Sequence, residues 1–403
     1  MADFYQNGIV TTMHNISRRS AAELEYELES FARFRKLGLV LPSLYSELHA
    51  PALGKIVNEL EGARYLSRIV IGLDRANADE FKHAREYFSK LPQEHHILWN
   101  DGARLREIDA MLANENLAPT EAGKGRNVWY CFGYVLARGD LDGIALHDCD
   151  IVTYERELLA RLIYPIAHPQ FNYAYAKGYY ARVGGGKLNG RVARLFVTPL
   201  IRALKRTCGT TPFLDYIDTF RYPLSGEMAV RLNVLRDIRI PSDWGLEIGI
   251  LSEVYRNYST NRLCQVDIAD NYDHKHQNLS PQDATKGLSR MAMDIAKALY
   301  RKMATEGEIF TAETFRSVKA TYLRIALDLV ESYFNDARMN GLTVDRHQEE
   351  RTVELFAQII LNAGDQYLSN PMETPFIPSW RRVVSAIPDI FERLVEAVEA
   401  DNA

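Results

Sequence analysis

The chain has 403 residues, which at about 150 residues per domain suggests two or three structural units. Hydrophobic residues make up 47% and charged residues 25% of it, which is typical of a globular protein and excludes extensive disorder. The formal net charge of −5 excludes a global basic surface, so we expect no nucleic-acid partner. The four cysteines include no C-x-x-C pair, and a disulfide framework is not expected in so long a chain. Because no signal-peptide pattern and no bilayer-length apolar run occur, we expect a cytoplasmic protein without integral membrane contact.

The first part of the chain is predicted to form an N-terminal helical lead over residues 1–37. Residues 19–36 are rich in strong helix formers and contain no glycine or proline. After them, the short apolar segments LGLVLP, SRIVIGLD, HHILW and GIALHD alternate with helical segments. This alternation predicts βαβ units and a parallel sheet with helices on both faces. Such sheets bind ligands beyond the carboxyl ends of their strands, so the residues after LP, GLD and LHD are the first candidates for a site.

The last part, residues 283–403, is predicted to form a helical C-terminal extension of three or four helices, the last interrupted at Pro388. Its apolar residues recur at helical spacing. We expect these stripes to pack on one another, on the main domain or on a second subunit rather than to bind a cofactor. The stripes are Leu288, Ala292, Ile295 and Leu299; Phe315, Val318, Tyr322, Ile325 and Leu329; and Val353, Phe356 and Ile360.

The strand GIALH ends in an acidic motif, in which Asp148 and Asp150 flank Cys149. Strand alternation would place both carboxylates on one side, at the carboxyl end of a strand. Two such carboxylates repel each other unless a cation lies between them, and oxygen ligands suit Mg²⁺ or Mn²⁺. An EF-hand is excluded because Thr153 stands where that loop requires glycine. The alternative is that the two aspartates are solvated or cap local backbone groups, and bind no metal.

A second polar segment, DHKHQN, spans residues 273–278. In an extended conformation His274, His276 and Asn278 would point to the same side. Two histidines can bind zinc, but no cysteine or third histidine stands nearby. A solvated polar loop is the alternative.

A glycine-rich segment, GGGKLNGR, spans residues 184–191 and leads into a predicted helix. Glycines before a helix let backbone N–H groups approach an anion, and the helix dipole favours negative charge there. Arg191 would add a bidentate contact. The segment lacks the G-x-x-x-x-G-K-[ST] pattern of a Walker loop, and a plain flexible loop is equally compatible with it.

Two further acidic segments are YPLSGE, which ends at Glu227, and DWGLE, which runs from Asp243 to Glu247. Each is predicted to place an acid at the start of a helix. Helix capping is therefore the alternative to a role in a site.

Taken together, these segments resemble the glucosyl-3-phosphoglycerate synthases, retaining glycosyltransferases of the GT-A fold, and relatives that transfer mannose. The resemblance covers about residues 38–280 and rests on LPSLYSE, GKGRNVW, LHDCD, GRVA, YPLSGE, DWGLEIG and HKHQN in this order. It implies an α/β fold class, in which residues 38–282 form a GT-A-like, Rossmann-type nucleotide-sugar-binding domain followed by the helical extension.

The resemblance also implies roles for individual residues. The implied donor-binding residues are Pro42, Leu44, Ser46, Asp74, Lys124, Asp148, Cys149, Asp150 and Leu224. The implied acceptor-binding residues are Gly190, Arg191, Val192, Ala193 and Asn278. The implied metal ligands are Asp150 and His276, and the implied catalytic residues are Glu247 and Asp150. Three positions depart from some family members, which carry glutamate, threonine and arginine where this chain has Ser46, Ala193 and His274.

The activity implied by the resemblance is the transfer of glucose, with retention, from a nucleoside diphosphate glucose to the 2-hydroxyl of 3-phosphoglycerate. Mg²⁺ or Mn²⁺ is the implied cofactor, a homodimer the implied assembly, and a precursor of the compatible solute glucosylglycerate the implied product. One alternative is mannosyl transfer from GDP-mannose to the same acceptor. Another is a non-catalytic nucleotide-sugar-binding protein whose helical extension binds a partner. No residue set in the sequence identifies the base of the donor.

Overall fold

A computed structural model describes residues 6, 8–17, 19–241, 243–274, 287–371 and 376–403. In these ranges the strands are β1 Thr11–Met13, β2 Leu37–Leu44, β3 Leu66–Asp74, β4 Glu94–Trp99, β5 Gly143–Leu146, β6 Tyr175–Gly184, β7 Lys187–Leu188, β8 Met228–Arg231, β9 Ile240–Pro241, β10 Leu263–Tyr272 and β11 Phe376–Ile377. The helices are α1 Ala21–Phe31, α2 Pro51–Leu60, α3 Ala78–Phe88, α4 Ala103–Asn114, α5 Lys124–Arg138, α6 Arg156–Ala167, α7 Thr198–Thr207, α8 Pro212–Thr219, α9 Leu232–Leu235, α10 Leu246–Asn257, α11 Gly287–Thr305, α12 Ala312–Met339, α13 Arg346–Ser369, α14 Trp380–Ala386 and α15 Ile390–Asn402. None of the described helices is both long and apolar enough to cross a membrane.

A central sheet of nine described strands organises the fold, in the order β1-β10-β6-β8-β5-β2-β3-β4, with β7 paired to β6 at its side. The strands β5, β2, β3 and β4 are parallel neighbours, and so are β1, β10 and β6. Strand β8 runs antiparallel between β5 and β6. The predicted α/β class with a largely parallel sheet is therefore confirmed, and the antiparallel strand in its middle was not predicted.

The two faces of the sheet bury separate apolar cores. Along β2, Leu39 and Leu41 belong to one core, while Val40 between them belongs to the other. This alternation follows from the period of two in a strand, and it explains why LGLVLP is apolar at consecutive positions. Helices α1, α2, α3 and α6 cover the first face, and α4, α5, α7, α8 and α10 contribute to the second.

The predicted leading helix is confirmed as α1, and a sequence-local device starts it. Ser20 accepts a hydrogen bond from the backbone N–H of Glu23, whose carboxylate accepts one from the N–H of Ser20. This capping box satisfies two backbone donors that a helix N-terminus leaves without intrahelical partners. Ahead of the helix, β1 extends the sheet by pairing with β10.

The helical extension packs on the same molecule. Helix α12 lies against α13 and against α7 of the preceding region, and α15 lies against α4, α5 and β4. The rings of Trp129 and Trp380 stack with their centroids 4.0 Å apart. The predicted apolar stripes are buried except for Leu288 and Leu329, which are half-buried. The predicted interruption at Pro388 is confirmed, since it lies between α14 and α15.

The prediction of a helix beginning at Glu227 was wrong, because this residue leads directly into strand β8. Its carboxylate is fully buried and accepts hydrogen bonds from the hydroxyls of Tyr180 at 2.6 Å and Tyr272 at 2.5 Å. These two tyrosines lie on β6 and β10, far from Glu227 in sequence. The hydrogen-bond acceptors of this carboxylate are therefore satisfied by tertiary contacts and not by a local helix cap.

Candidate active site

A cleft of about 1620 Å³ lies where β2, β3 and β5 end. Its walls also include the glycine-rich turn after β6, the start of α10 and parts of α11 and α13. This is the edge of the sheet at which open α/β folds bind their ligands, because the loops there diverge from the strand ends.

Most of the predicted site residues meet in this cleft, although their roles stay predictions. Ser46 is an exception, since it is exposed on a short 3₁₀ helix and does not line the cleft. His276 and Asn278 lie outside the described residues. The predicted residues that line the cleft are Pro42, Leu44, Asp74, Lys124, Asp148, Cys149, Asp150, Gly190, Arg191, Val192, Ala193, Leu224 and Glu247.

Lys124, the first residue of α5, joins two acids of the cleft. Its ammonium lies 2.6 Å from Oδ1 of Asp148 and 3.3 Å from Oε1 of Glu247. Burial opposes its positive charge, but these two carboxylates outweigh burial and raise the pKa of Lys124. Burial likewise opposes the charge of Asp148, and Lys124 nevertheless lowers the pKa of that carboxyl group. Lys124 and Asp148 therefore stabilise each other in their charged forms.

Gly226 makes this close approach possible. A Cβ atom at this position would lie 2.7 Å from Oδ2 of Asp148 and 2.9 Å from Nζ of Lys124. Both distances are shorter than a carbon atom can adopt without displacing its neighbour. The glycine of the YPLSGE segment therefore has a steric role at the site.

A second acidic cluster involves Asp148, Asp150 and His274, whose possible ligand atoms all lie within 4.8 Å of one another. Although these residues are distant in sequence, Ile151 and His274 form an antiparallel β-bridge, which brings their two segments together. His274 Nδ1 lies 3.8 Å from Oδ1 of Asp150. This arrangement brings the end of the LHDCD motif and the start of the DHKHQN segment, Asp273 and His274, to one place.

The cluster fits a divalent cation. Burial and the neighbouring Asp148 raise the pKa of Asp150 to about 7, because two close carboxylates cannot both ionise without cost. The Oδ1 atom of Asp150 is buried and accepts no hydrogen bond from the described residues. Two carboxylates and an imidazole form a mainly oxygen donor set, which suits Mg²⁺ or Mn²⁺.

A further group of residues that line the cleft is cationic. Gly190 has φ +75°, a left-handed conformation that a glycine adopts without strain, and Arg191 follows it at the start of the helical segment that continues into α7. Arg182, Lys187 and Arg351 also line the cleft. Among the described residues, none of these four cations forms an ion pair with a carboxylate. This group is therefore suited to an anion.

Sequence reasoning missed several residues that line the cleft. Glu47 stood inside the quoted LPSLYSE segment and could have been singled out there. The residues from α11 and α13 stand in no recognisable motif, because only folding of the extension brings them to the cleft. The residues missed include Glu47, Arg126, Arg182, Lys187, Arg290, Gln348 and Arg351.

Comparison with solved structures supports the GT-A-like fold. Glucosyl-3-phosphoglycerate synthase from Mycobacterium tuberculosis, in complex with Mn²⁺, UDP and glucosyl-3-phosphoglycerate, is similar with a TM-score of 0.54 and 18% identity, over 73% of this chain and 88% of that one. Mannosyl-3-phosphoglycerate synthase from Rubrobacter xylanophilus has a TM-score of 0.53 and 18% identity, over 75% of this chain and 83% of that one. At these identities the similarity shows the fold alone.

Comparison of sequences identifies the family. No protein-family model matches the chain. Glucosyl-3-phosphoglycerate synthase from Persephonella marina is 47% identical over 403 residues, which is 100% of both chains. The synthase of the same name from Methanococcoides burtonii is 39% identical over 403 residues, covering 99% of this chain and 98% of that one. These full-length identities show that the chain belongs to the glucosyl-3-phosphoglycerate synthase family.

Proposed function

We propose that the chain transfers glucose from a nucleoside diphosphate glucose to the 2-hydroxyl of 3-phosphoglycerate, the reaction for which its family is named. The observation that carries this proposal is that one cleft holds both an acidic cluster and several cations that form no ion pair with a described carboxylate. Asp148 and Asp150 would hold a divalent cation, which would neutralise negative charge on the donor diphosphate. The cationic residues at Arg191 suit a phosphorylated acceptor.

The donor would lie across the ends of β2, β3 and β5. Pro42, Leu44 and Asp74 line this part of the cleft. The M. tuberculosis enzyme has been crystallised with Mn²⁺ and UDP-glucose and with Mg²⁺ and UDP, which makes UDP-glucose the first donor to test. GDP-glucose and GDP-mannose are the alternatives, because the described residues do not identify the base.

We propose Asp150 and His276 as the metal ligands, by resemblance to the family. Within the described residues, His274 supplies the imidazole near the acidic pair. When bound, Mg²⁺ or Mn²⁺ would act as a Lewis acid that stabilises the negative charge developing on the departing nucleoside diphosphate.

The chain's own residues would orient the sugar. Lys124 holds the carboxylate of Glu247 at the cleft wall, 3.3 Å from its ammonium. From there Glu247 can accept hydrogen bonds from sugar hydroxyls or balance positive charge that develops at the anomeric carbon. Retention then requires no protein nucleophile, because the acceptor hydroxyl can attack on the face that the diphosphate leaves.

The acceptor would bind at Gly190, Arg191, Val192 and Ala193, with Asn278 as a further contact implied by the family. Backbone N–H groups at the start of a helix attract phosphate, and the guanidinium of Arg191 adds a charge-assisted contact. Gly190 allows the turn that aims these groups at the cleft.

We also propose how the chain is organised. Residues 1–37 form a lead, residues 38–282 the catalytic domain and residues 283–403 an extension, in a cytoplasmic homodimer. The exposed side chains of Ile309 and Met339 in the extension are apolar surface that a second subunit could cover. Sedimentation at micromolar concentration tests the assembly, and a monomer would contradict the dimer.

The experiment that tests the function is a matrix of donors and acceptors with the purified chain. UDP-glucose, GDP-glucose and GDP-mannose are each incubated with 3-phosphoglycerate and Mg²⁺, and the product is identified by mass. A glucosylated product supports the proposal, and a mannosylated one supports the family's other reaction. Nucleotide-sugar binding without any product would support a non-catalytic role.

A further inference from the structure

Helix α13 of the extension forms part of the cleft wall. Gln348, Arg351, Thr352 and Leu355 all line the cleft. Their spacing of three, four and seven residues places them on one face of the helix. The extension therefore contributes a continuous surface to the site and is more than a support for the sheet.

A buried ion pair fixes α13 to the glycine-rich segment. Arg194 Nη2 lies 2.6 Å from Oε1 of Glu349 on α13, and both side chains are buried. The Nε atom of Arg194 donates to the carbonyl of Asn189 at 2.7 Å. Separating this pair would leave an uncompensated charge in the interior, so it strongly favours one placement of the helix against the loop.

Two further contacts set the same placement. The backbone N–H of Thr343, just before α13, donates to the carbonyl of Gly186 at 2.9 Å. Arg191 donates from Nη2 to Oε1 of Gln348 at 3.1 Å. Gln348 is neutral, so this contact orients the guanidinium of Arg191 and leaves its charge available for an anion.

Arg351 adds a positive charge one helical turn beyond Gln348. It forms no ion pair with any described carboxylate, whereas Arg346 of the same helix pairs with Glu350 at 2.9 Å. Three residues along a helix correspond to about 4.5 Å. Arg351 therefore lies one turn along the cleft-facing side of α13 from Gln348, the residue that contacts Arg191, and no described carboxylate neutralises it.

We propose that Arg351 is a specificity-determining residue, which binds the carboxylate of the three-carbon acceptor while the loop at Arg191 binds its phosphate. This inference rests on the proposed function. The acceptor carries these two anionic groups at opposite ends, and a phosphate alone contributes about −1.5 to −2 charges. One arginine and a helix terminus match the phosphate, so the carboxylate calls for a further cation. The planar guanidinium of Arg351 suits bidentate binding of a carboxylate.

The test uses the full-length enzyme and three variants. Arg351→Gln removes the charge, Arg351→Lys keeps it without the planar fork, and Arg346→Gln is the control because Arg346 does not line the cleft. The Michaelis constants for 3-phosphoglycerate and the donor are measured, together with the inhibition constant of glycerol 3-phosphate. Glycerol 3-phosphate retains the phosphate and lacks the carboxylate. Calorimetric titration of 3-phosphoglycerate makes the comparison independent of turnover.

We expect Arg351→Gln to raise the KM for 3-phosphoglycerate about 10-fold or more, as for the loss of a charged hydrogen bond. Arg351→Lys should have a smaller effect, and Arg346→Gln, the donor KM and the inhibition constant of glycerol 3-phosphate should not change. An unchanged KM for 3-phosphoglycerate in Arg351→Gln, or equal weakening of glycerol 3-phosphate, would overturn the assignment. Wild-type enzyme that yields no product and binds no 3-phosphoglycerate would instead overturn the proposed function.

Discussion

Lys124 and Asp148 form a 2.6 Å ion pair directly beneath the backbone of Gly226. The pair connects the first turn of α5 to the loop after β5, and through Glu247 it also reaches the first turn of α10. Three segments that line the cleft therefore meet in one cluster of charged side chains. A change in its packing should affect activity more than it affects the distant core.

The first prediction concerns Gly226→Ala. The added methyl would lie 2.7 Å from Oδ2 of Asp148, so the carboxylate or the backbone must move. We expect kcat/KM to fall at least about 10-fold, because the displaced side chains of Asp148 and Lys124 line the cleft. The free energy of unfolding should fall by less than the roughly 1–3 kcal/mol typical of overpacked cores, since the ends of these two side chains can move aside. Steady-state kinetics and denaturant unfolding measure the two effects.

Gly54→Ala is the matched control. Its Cβ atom would lie 3.5 Å from the hydroxyl of Tyr87, an ordinary contact, and the residue is inside α2. Alanine favours a helix over glycine by about 1 kcal/mol, so this variant should be fully active and at least as stable as the wild type. Wild-type kinetics in Gly226→Ala would refute the steric role of this glycine.

The second prediction concerns the metal. Chelation should abolish turnover, and added Mg²⁺ or Mn²⁺ should restore it. Asp150→Asn should lower kcat by orders of magnitude, yet without metal its Tm should equal or exceed that of the wild type. The physical reason is that the variant removes a buried carboxylate that burial and Asp148 hold in an unfavourable state. Unchanged turnover after exhaustive chelation would contradict the metal site.

The third prediction concerns Arg191→Ala. Loss of a charged contact to the acceptor phosphate should raise the KM for 3-phosphoglycerate by about 10- to 150-fold while the donor KM changes little. Arg206→Ala is the control, because Arg206 is an exposed arginine of α7 that does not line the cleft. Equal damage to both Michaelis constants would mean that the loop does not serve the acceptor.

The fourth prediction concerns Lys177, which is buried on β6 and donates to the carbonyl of Ser225 at 2.6 Å. Burial lowers its pKa from the ordinary 10.5 to about 8. The unfolded chain therefore binds more protons between these values, so this residue's contribution to the free energy of unfolding rises with pH, by at most about 1.4 kcal/mol per unit. Below about pH 8 Lys177 is protonated in both states, and the full free-energy cost of burying its ammonium lowers the stability of the folded protein.

Urea unfolding of wild type and Lys177→Met at pH 7, 8.5 and 10 measures this contribution. The wild type should gain stability relative to the variant as the pH rises from 8 to 10. Titrating groups that do not interact with Lys177 cancel in the difference between the two proteins. A difference that does not depend on pH would contradict the unfavourable burial of the ammonium.

The sequence predicted those parts of the fold that depend on local pattern. LGLVLP became β2 because an interior strand buries both faces, and Pro388 interrupts the last helices because it cannot continue one. The position of the cleft could also be predicted from local pattern. Asp74 ends one parallel strand and Asp148 follows another, and the carboxyl ends of parallel strands lie at the same edge of a sheet.

The sequence could not predict features that depend on contacts between distant segments. Glu227 was expected to cap a helix, but its carboxylate instead accepts hydrogen bonds from tyrosines on two other strands. Arg351 stands in no motif, and it lines the cleft because tertiary contacts such as the Arg194–Glu349 pair place α13 there. Such a pairing between residues 155 positions apart leaves no local pattern to recognise.

The last prediction separates the two effects of the Arg194–Glu349 pair, stability and placement of the acceptor loop. Glu349→Gln leaves a buried guanidinium without its carboxylate, so the free energy of unfolding should fall by about 3–5 kcal/mol. The double variant Arg194→Met/Glu349→Leu should recover much of this loss, because apolar replacements of a buried ion pair are often neutral or stabilising. It should not recover the KM for 3-phosphoglycerate, since no side chain then holds the carbonyl of Asn189.

As a control, Glu350→Gln breaks an exposed pair with Arg346 and should lower the free energy of unfolding by less than about 1 kcal/mol. Denaturant unfolding and steady-state kinetics on the same samples test both parts, and a double variant with a normal acceptor KM would show that the pair serves stability alone.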